Sequence, residues 1–218
     1  MKLPDIKAVL FDLDGTLIDS EFFYFSNWAP ILAEEFDLHI SFEDWISQFA
    51  GHTLVRNIGY LKDRFGIETS EEYMFKRTRA NYAKSDMRTI RLMPFAMEIL
   101  QILSEKGFRI ALVTSSYNTT VETVLGHHKL LDYFEFFVTR ELVEHPKPNK
   151  EPYELAVQML GLPKETVIAV EDTITGFTAA TAAGLNCVAV TKHETEINRL
   201  SGAKFLLSNL SQLQDIII

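Results

Sequence analysis

The sequence predicts an α/β protein in which a doubly wound, mainly parallel sheet is interrupted by a helical insertion. Two observations carry this prediction. Short apolar runs, several of them rich in β-branched residues, recur along the chain and alternate with helical patterns. The segment 17–91 breaks this alternation and holds no convincing strand pattern.

Six apolar runs have the length and composition of buried strands. Parallel strands are covered on both faces, so they appear as short continuous apolar runs rather than alternating ones. Residues that follow such strands are expected at the carboxyl edge of one sheet, where ligands bind. The runs are Ala8–Phe11, Ile110–Val113, Phe134–Val138, Thr166–Val170, Cys187–Val190 and, more weakly, Phe205–Leu207.

Three helical patterns lie among these runs. They cover Pro94–Lys106, Pro152–Leu160 and Phe177–Ala183, and each is followed directly by a glycine. A glycine just after the last periodic residue is typical of a helix end. Strands that alternate with helices indicate βαβ units and a Rossmann-like sheet.

The insertion has apolar and aromatic residues at near-helical spacing, which predicts about four helices. We therefore divide the chain into a core, residues 1–16 and 92–218, and an insertion, residues 17–91. Because aromatic stripes on helices usually pack inward, we expect Phe22, Phe25 and Trp28 to pack within the insertion.

Composition limits the classes of function. A formal net charge of −9 argues against sequence-independent nucleic-acid binding, which needs a basic face. No apolar run approaches the roughly 20 residues of a membrane helix, and the N-terminus lacks a secretory signal pattern. The single cysteine, Cys187, excludes an intrachain disulfide and fits a reducing compartment. We expect a cytoplasmic monomer with no nucleic-acid or membrane partner.

Two carboxylates directly after the first apolar run are the strongest indication of chemistry. Asp12 and Asp14 are separated by one residue and followed by Gly15, which permits a sharp turn or a close approach. Carboxylates this close repel each other unless a cation or a shared proton relieves them.

Other polar residues lie at or near the ends of further predicted strands. Each alone has an ordinary structural explanation, such as a helix cap or a surface charge. Together and in this order they predict a Mg²⁺-dependent phosphoryl-transfer site, with a carboxylate as nucleophile and oxygen ligands for the metal. They are Thr114, Ser115 and Ser116, then Lys147 in a Lys-Pro pair, then Glu171 and Asp172.

These motifs resemble those of the haloacid dehalogenase superfamily, in its phosphatase and β-phosphoglucomutase-like branch. The four motifs occur in order as Asp12-Leu13-Asp14-Gly15-Thr16, Thr114, Lys147-Pro148, and Glu171-Asp172 with Gly176. The resemblance implies a Rossmann-like catalytic core, with residues 17–91 as a helical cap domain inserted after the first strand.

The resemblance also implies a role for each matching residue. Asp12 would be the nucleophile and a Mg²⁺ ligand. Asp14 would be the general acid and base, with its backbone carbonyl on the metal. Asp172 would complete the metal ligands with support from Glu171. The phosphoryl group would be held by Thr114, the Ser115 backbone amide and Lys147.

The implied function is a Mg²⁺-dependent phosphomonoester hydrolase that acts on a small phosphorylated metabolite, a sugar-type phosphate, through an aspartyl-phosphate. One alternative is a phosphomutase that resembles β-phosphoglucomutase. Tyr24 stands where the mutase has a cap histidine, and Leu54 stands near its cap arginine, so these positions favour hydrolysis. A non-catalytic phosphate-binding protein on the same fold is the other alternative, although all four motifs are intact.

Substrate choice is expected to lie in the cap, since caps close over such sites and exclude water. The candidate specificity residues are Phe22, Tyr24, Gly51, His52 and Arg56.

Overall fold

The computed structural model describes residue 3 and residues 5–50 and 52–218. The chain divides into two compact units. The core unit comprises Met1–Asp19 and Arg91–Ile218, and the helical unit comprises Ser20–Ile90.

The secondary structure of the described residues alternates in the core unit and is helical in the other. The strands are β1 Ala8–Phe11, β2 Ile18–Asp19, β3 Arg91–Leu92, β4 Arg109–Val113, β5 Phe137–Val138, β6 Val167–Glu171, β7 Asn186–Val190 and β8 Phe205–Leu207. The α-helices are α1 Glu21–Phe36, α2 Phe42–Gln48, α3 Leu54–Phe65, α4 Glu71–Tyr82, α5 Ala96–Glu105, α6 Asn118–His127, α7 Glu151–Leu160, α8 Ile174–Ala182, α9 Glu194–Arg199 and α10 Gln214–Ile217. Short 3₁₀ turns occur at Met87–Thr89, Leu131–Tyr133, Arg140–Leu142, Lys164–Thr166 and Leu210–Leu213.

Six strands form one parallel sheet in the order β5-β4-β1-β6-β7-β8. The chain runs from β1 outward to β4 and β5, then returns to β6 on the other side of β1 and continues to β7 and β8. This confirms the predicted doubly wound, mainly parallel sheet. The strand order reverses at β1, and the carboxyl ends of β1, β4 and β6 therefore form the switch point where ligands bind.

The register of the three central strands sets the level of their ends. Phe11 of β1 pairs with Leu112 of β4 and with Val170 of β6. The residues that follow Phe11, Leu112 and Val170 therefore lie side by side at the carboxyl edge of the sheet. In this way the sheet brings Asp12 beside Val113 and Glu171.

The core of this unit explains the continuous apolar runs. All four residues of β1 are fully buried, because α7 and α8 cover one face of the sheet and α5 packs against β4. Full burial of a leucine or valine side chain contributes about 1.5–3 kcal/mol. Ala179 and Ala180 of α8 belong to the buried cluster, and their small side chains let this helix lie close to the sheet.

The helical unit contains α1 to α4, in agreement with the helical spacing. Its N-caps are well defined, since the side chains of Ser41, Thr53 and Ser70 each accept a backbone N–H of the first turn. One packed cluster of buried residues in this unit contains Trp28, Ile31, Leu32, Trp45, Phe49, Leu61 and Met74.

Several sequence-based expectations differ from the structure. The segment 17–91 does contain strand residues, because Ile18–Asp19 pairs antiparallel with Arg91–Leu92. Two-residue strands have no measurable periodicity, so the pattern could not indicate them. The expected strand Phe134–Val138 is reduced to Phe137–Val138, because the chain before it forms a 3₁₀ turn that ends at Phe134.

The predicted packing of the aromatic stripe is correct only in part. Trp28 is buried and Phe25 packs against the unit's core, but Phe22 is 58% exposed and does not pack inside. None of the helices in the described part of the chain is long and apolar enough to cross a bilayer.

Cys187 of β7 is expected to be chemically inert in the folded protein. It is 5% exposed, and burial raises the pKa of its thiol well above the ordinary value. Since the thiolate is the reactive form, Ellman's reagent should leave the native protein unlabelled and titrate one thiol in guanidinium chloride. Rapid labelling of the native protein would contradict this environment.

Candidate active site

Asp12 occupies the carboxyl end of the central strand. Its backbone N–H donates to the carbonyl oxygen of Val170 at 3.0 Å, which extends the β1–β6 ladder by one residue. The residue is 7% exposed. The sheet therefore fixes where this carboxylate lies.

Lys147 joins the ends of three neighbouring strands. It lies in the loop before α7 and is 6% exposed. Its ammonium donates to Asp12 Oδ1 at 2.6 Å, to Glu171 Oε1 at 2.6 Å and to the carbonyl of Val113 at 2.7 Å. A lysine ammonium has three N–H donors, so each has an acceptor in the protein.

The ionisable groups of this cluster shift one another's pKa values. Burial raises the pKa of Asp12 to about 8, although the charge of Lys147 opposes this and Glu171 and Asp14 add to it. Burial alone would lower the pKa of Lys147, but the charges of Asp12 and Glu171 raise it above its ordinary value. One ammonium thus faces two buried carboxyl groups, and a bound cation would favour the ionised form of Asp12.

Two residues without acid–base chemistry keep Glu171 in place. Tyr153 of α7 is fully buried and its hydroxyl donates to Glu171 Oε1. Gly176 in the first turn of α8 leaves the space that the Glu171 carboxylate fills, since a methyl group there would overlap the carboxylate. The four motifs do not include Tyr153, and its signal in the sequence is only that a buried tyrosine hydroxyl normally needs a partner.

Asp12, Glu171 and Asp172 form the group of acidic residues that could hold a metal. Each offers a carboxylate oxygen, and the three oxygens lie within 4.8 Å of one another. Gly15 has a φ of +80°, and a side chain there would overlap Asp172. Glu171 Oε1 already accepts from Lys147 and Tyr153, so Asp12 and Asp172 are better placed as ligands. Hard oxygen donors of this kind fit Mg²⁺.

The loop after β4 faces the loop after β1. Thr114 is buried, its N–H donates to the carbonyl of Val138 at 2.9 Å, and its hydroxyl accepts the N–H of Ser116 at 3.0 Å. That hydroxyl keeps its own hydrogen to donate. Ser115 is exposed. The Ser116 hydroxyl donates to Asp14 Oδ2 at 2.6 Å.

The structure thus brings most of the sequence-derived site residues to one edge of the core unit. Glu171 is the last residue of β6 rather than the first residue after it, a shift of one position from the expected strand. The residues at this edge are Asp12, Asp14, Thr114, Lys147, Glu171 and Asp172.

The candidate specificity residues that the structure describes belong to the helical unit. Phe22 projects from α1 and is largely exposed, whereas Tyr24 is partly buried against that unit's core. His52 precedes α3 and is partly buried. Gly51 lies outside the described residues.

The Arg56 guanidinium makes contacts within the helical unit. Its guanidinium donates to the carbonyl of Gln48 and to Asn57 Oδ1, the latter at 3.1 Å, and lies 4.9 Å from the ring centroid of Tyr60. The contact with Gln48 joins α3 to the end of α2. A direct role for Arg56 in substrate choice stays a prediction.

Comparison with known proteins agrees with this site. The sequence model of the haloacid dehalogenase-like hydrolases matches residues 9–190, which contain every motif described above. The chain belongs to this family. Its parallel sheet is that of a haloacid dehalogenase-like hydrolase core.

Three curated relatives match most of the chain. YhcW of Bacillus subtilis (strain 168) is 31% identical over 188 residues, which cover 85% of this chain and 83% of YhcW. Pyrophosphatase PpaX of Bacillus cereus (strain AH820) is 30% identical, over 85% of this chain and 83% of PpaX. The phosphorylated carbohydrates phosphatase of Thermotoga maritima is 28% identical, over 83% of this chain and 82% of that protein. The family and its relatives support a phosphatase.

A solved structure supports the same fold. The haloacid dehalogenase family hydrolase of Deinococcus radiodurans R1, solved with bound phosphate and sodium, is 26% identical with a TM-score of 0.78. The alignment covers 96% of this chain and 93% of that one.

Gly176→Ala should destabilise the core unit because the added methyl group would displace the Glu171 carboxylate from Lys147. Overpacking of this kind costs about 1–3 kcal/mol in the free energy of unfolding, measurable by urea denaturation. Gly59→Ala is the matched control, since this helical glycine has open space around it and the change should be neutral or mildly stabilising. Equal stability of the two variants would contradict the close packing at Gly176.

Proposed function

We propose that this protein is a Mg²⁺-dependent phosphomonoester hydrolase that forms an aspartyl-phosphate on Asp12. The observation that supports this most is the buried Asp12 carboxylate at the sheet's switch point, paired with Lys147 and close to Asp172. A carboxylate with a fixed cation on one side and a metal position on the other is suited to attack an anionic phosphate ester.

The metal would be held by Asp12, Asp172 and the backbone carbonyl of Asp14, with Glu171 in support. When bound, Mg²⁺ supplies positive charge that offsets the repulsion between the Asp12 carboxylate and the substrate phosphate. Gly15 keeps this side of the site open to Asp172.

The phosphoryl oxygens would be held by the Thr114 hydroxyl, the Ser115 backbone amide and the charge of Lys147. The three N–H groups of Lys147 already have protein acceptors. Its contribution is therefore a fixed positive charge beside the reacting oxygen of Asp12. Charges that are held in place before reaction need no reorganisation in the transition state.

The reaction has two steps. An Asp12 oxygen attacks phosphorus and the ester P–O bond breaks, while Asp14 donates a proton to the leaving oxygen. Water then attacks the same phosphorus, Asp14 accepts its proton, and Asp12 is released with inorganic phosphate. One residue thus acts as acid and then as base.

The substrate is proposed to be a small sugar-type phosphate. The similarity to a phosphatase of phosphorylated carbohydrates supports this class. The similarity to pyrophosphatase PpaX favours inorganic pyrophosphate as a second candidate, because the same in-line attack would break a phosphoanhydride.

A phosphate-release screen tests the proposed activity. We expect release from small sugar phosphates in Mg²⁺, its loss in EDTA and its recovery when Mg²⁺ is added back. Pyrophosphate and p-nitrophenyl phosphate belong in the same screen. Equal release in EDTA would contradict the metal requirement. Conversion of β-glucose 1-phosphate to glucose 6-phosphate without net release would instead establish a phosphomutase.

Substitutions of the two aspartates should have different effects. Asp12→Asn should abolish both turnover and the phosphoenzyme, because the nucleophile is lost. Asp14→Asn should still form phosphoenzyme but slow both steps, by about 10²–10⁴-fold. Rapid acid quench with ³²P-labelled substrate separates the two outcomes.

The control for these variants is Asp63→Asn, since Asp63 is exposed on α3 and belongs to the helical unit. It should turn over at the wild-type rate. Full turnover by Asp12→Asn would exclude Asp12 as the nucleophile.

A further inference from the structure

We propose that Ser116 is a positioning residue for Asp14, and that its hydroxyl holds the carboxyl group that exchanges protons during turnover. This inference rests on the proposed function. It adds to the site a residue that none of the four motifs includes.

The contact is short and joins distant parts of the chain. Ser116 Oγ lies 2.6 Å from Asp14 Oδ2, and the two residues are 102 positions apart. This distance lies at the short end of the range for an O–H···O hydrogen bond. The bond connects the loop after β1 to the loop after β4.

Ser116 is itself held from both sides. Its backbone N–H donates to Thr114 Oγ1 at 3.0 Å, and its carbonyl accepts the N–H of Arg140 at 3.0 Å. The Arg140 guanidinium in turn donates to the carbonyl of Val143 at 2.9 Å. The hydroxyl therefore starts from a fixed backbone, and the donor is in place before a substrate binds.

The backbone of Asp14 is also fixed, but its carboxyl group lies in a less confined place. The turn after β1 is closed by hydrogen bonds from Gly15 N–H to the carbonyl of Ile18 at 2.8 Å and from Leu17 N–H to the carbonyl of Leu13 at 2.8 Å. Asp14 itself is only partly buried. Packing alone does not select one rotamer for such a side chain, and the Ser116 hydroxyl favours the observed one.

This arrangement suits a group that alternates between acid and base. Asp14 gives a proton to the leaving oxygen as the ester bond breaks and later takes one from water. A serine hydroxyl can donate to the carboxylate and equally to the carbonyl oxygen of the protonated carboxyl. Ser116 therefore keeps its contact through both steps and neither gains nor loses a proton.

A double-mutant cycle tests the inference. With p-nitrophenyl phosphate as substrate, Ser116→Ala should lower kcat about tenfold in the wild-type background, because a misplaced acid–base group is less effective. In the Asp14→Asn background the same change should cost less than about twofold, since residues that act as a unit are not additive. KM should change little in either background.

Two further variants complete the set. Ser116→Thr keeps the hydroxyl and should recover most of kcat. Ser104→Ala, on the exposed face of α5 in the same unit, is the matched serine control and should leave kcat unchanged.

A leaving-group series gives an independent readout. Across aryl phosphates from p-nitrophenyl to phenyl, kcat/KM of Ser116→Ala should fall more steeply than that of the wild type as the phenol becomes less acidic. Proton donation matters most for poor leaving groups.

Three results would overturn the role of Ser116 and leave the proposed function standing. They are an equal loss of kcat on Ser116→Ala in both Asp14 backgrounds, leaving-group plots of kcat/KM that run parallel for variant and wild type, and a raised KM with unchanged kcat. A wild type that releases no phosphate from any ester would overturn the proposed function and this inference together.

Discussion

The buried ammonium of Lys147 is the interaction on which the rest of the site depends. It bonds to one residue at the end of each of three adjacent strands: Asp12 after β1, Val113 of β4 and Glu171 of β6. A charge removed from water must be paired, and removing one partner of a buried pair costs about 3–5 kcal/mol. An apolar replacement would often be as stable, so the pair is better explained by the site it builds than by stability.

This constraint accounts for several residues that carry no chemistry. Lys147 lies between two carboxyl groups, and the Tyr153 hydroxyl gives the Glu171 carboxylate a second donor. Gly176 provides the space for that carboxylate, and Gly15 provides the space for Asp172. A divalent cation beside Asp12 and Asp172 would favour the ionised form of Asp12.

The central strands could be predicted because full burial on both faces leaves a plain apolar run in the sequence, as in Ala8–Phe11. The proximity of Asp12 to Asp172 followed from the rule that strand ends converge at the switch point, whereas Lys147 lies in the loop before α7 and its pairing with Asp12 is not given by that rule. The hydrogen bonds from Tyr153 to Glu171 and from Ser116 to Asp14 could not be predicted, because they depend on loop conformation and rotamers. The two-residue strands β2 and β3 were too short to leave a pattern.

The helical unit was predicted less well for a different reason. Helical spacing identifies an apolar stripe but does not say which member of the stripe stays exposed, and Phe22 is the member that does. The bond from the Arg56 guanidinium to the carbonyl of Gln48 likewise has no signal in the sequence. Packing among several aromatic neighbours determines which side chains of this unit are exposed. No short sequence motif indicates that packing.

The central claim is that Asp12 carries the phosphoryl group beside a metal bound by Asp12 and Asp172. A crystal structure of the protein grown with Mg²⁺ and beryllium fluoride, an analogue of an acyl phosphate, tests it directly. We expect trifluoroberyllate bonded to an Asp12 carboxylate oxygen, Mg²⁺ on the Asp172 side and Lys147 still bonded to Glu171. An Asp12 carboxylate that stays unmodified while the analogue binds another side chain would contradict it.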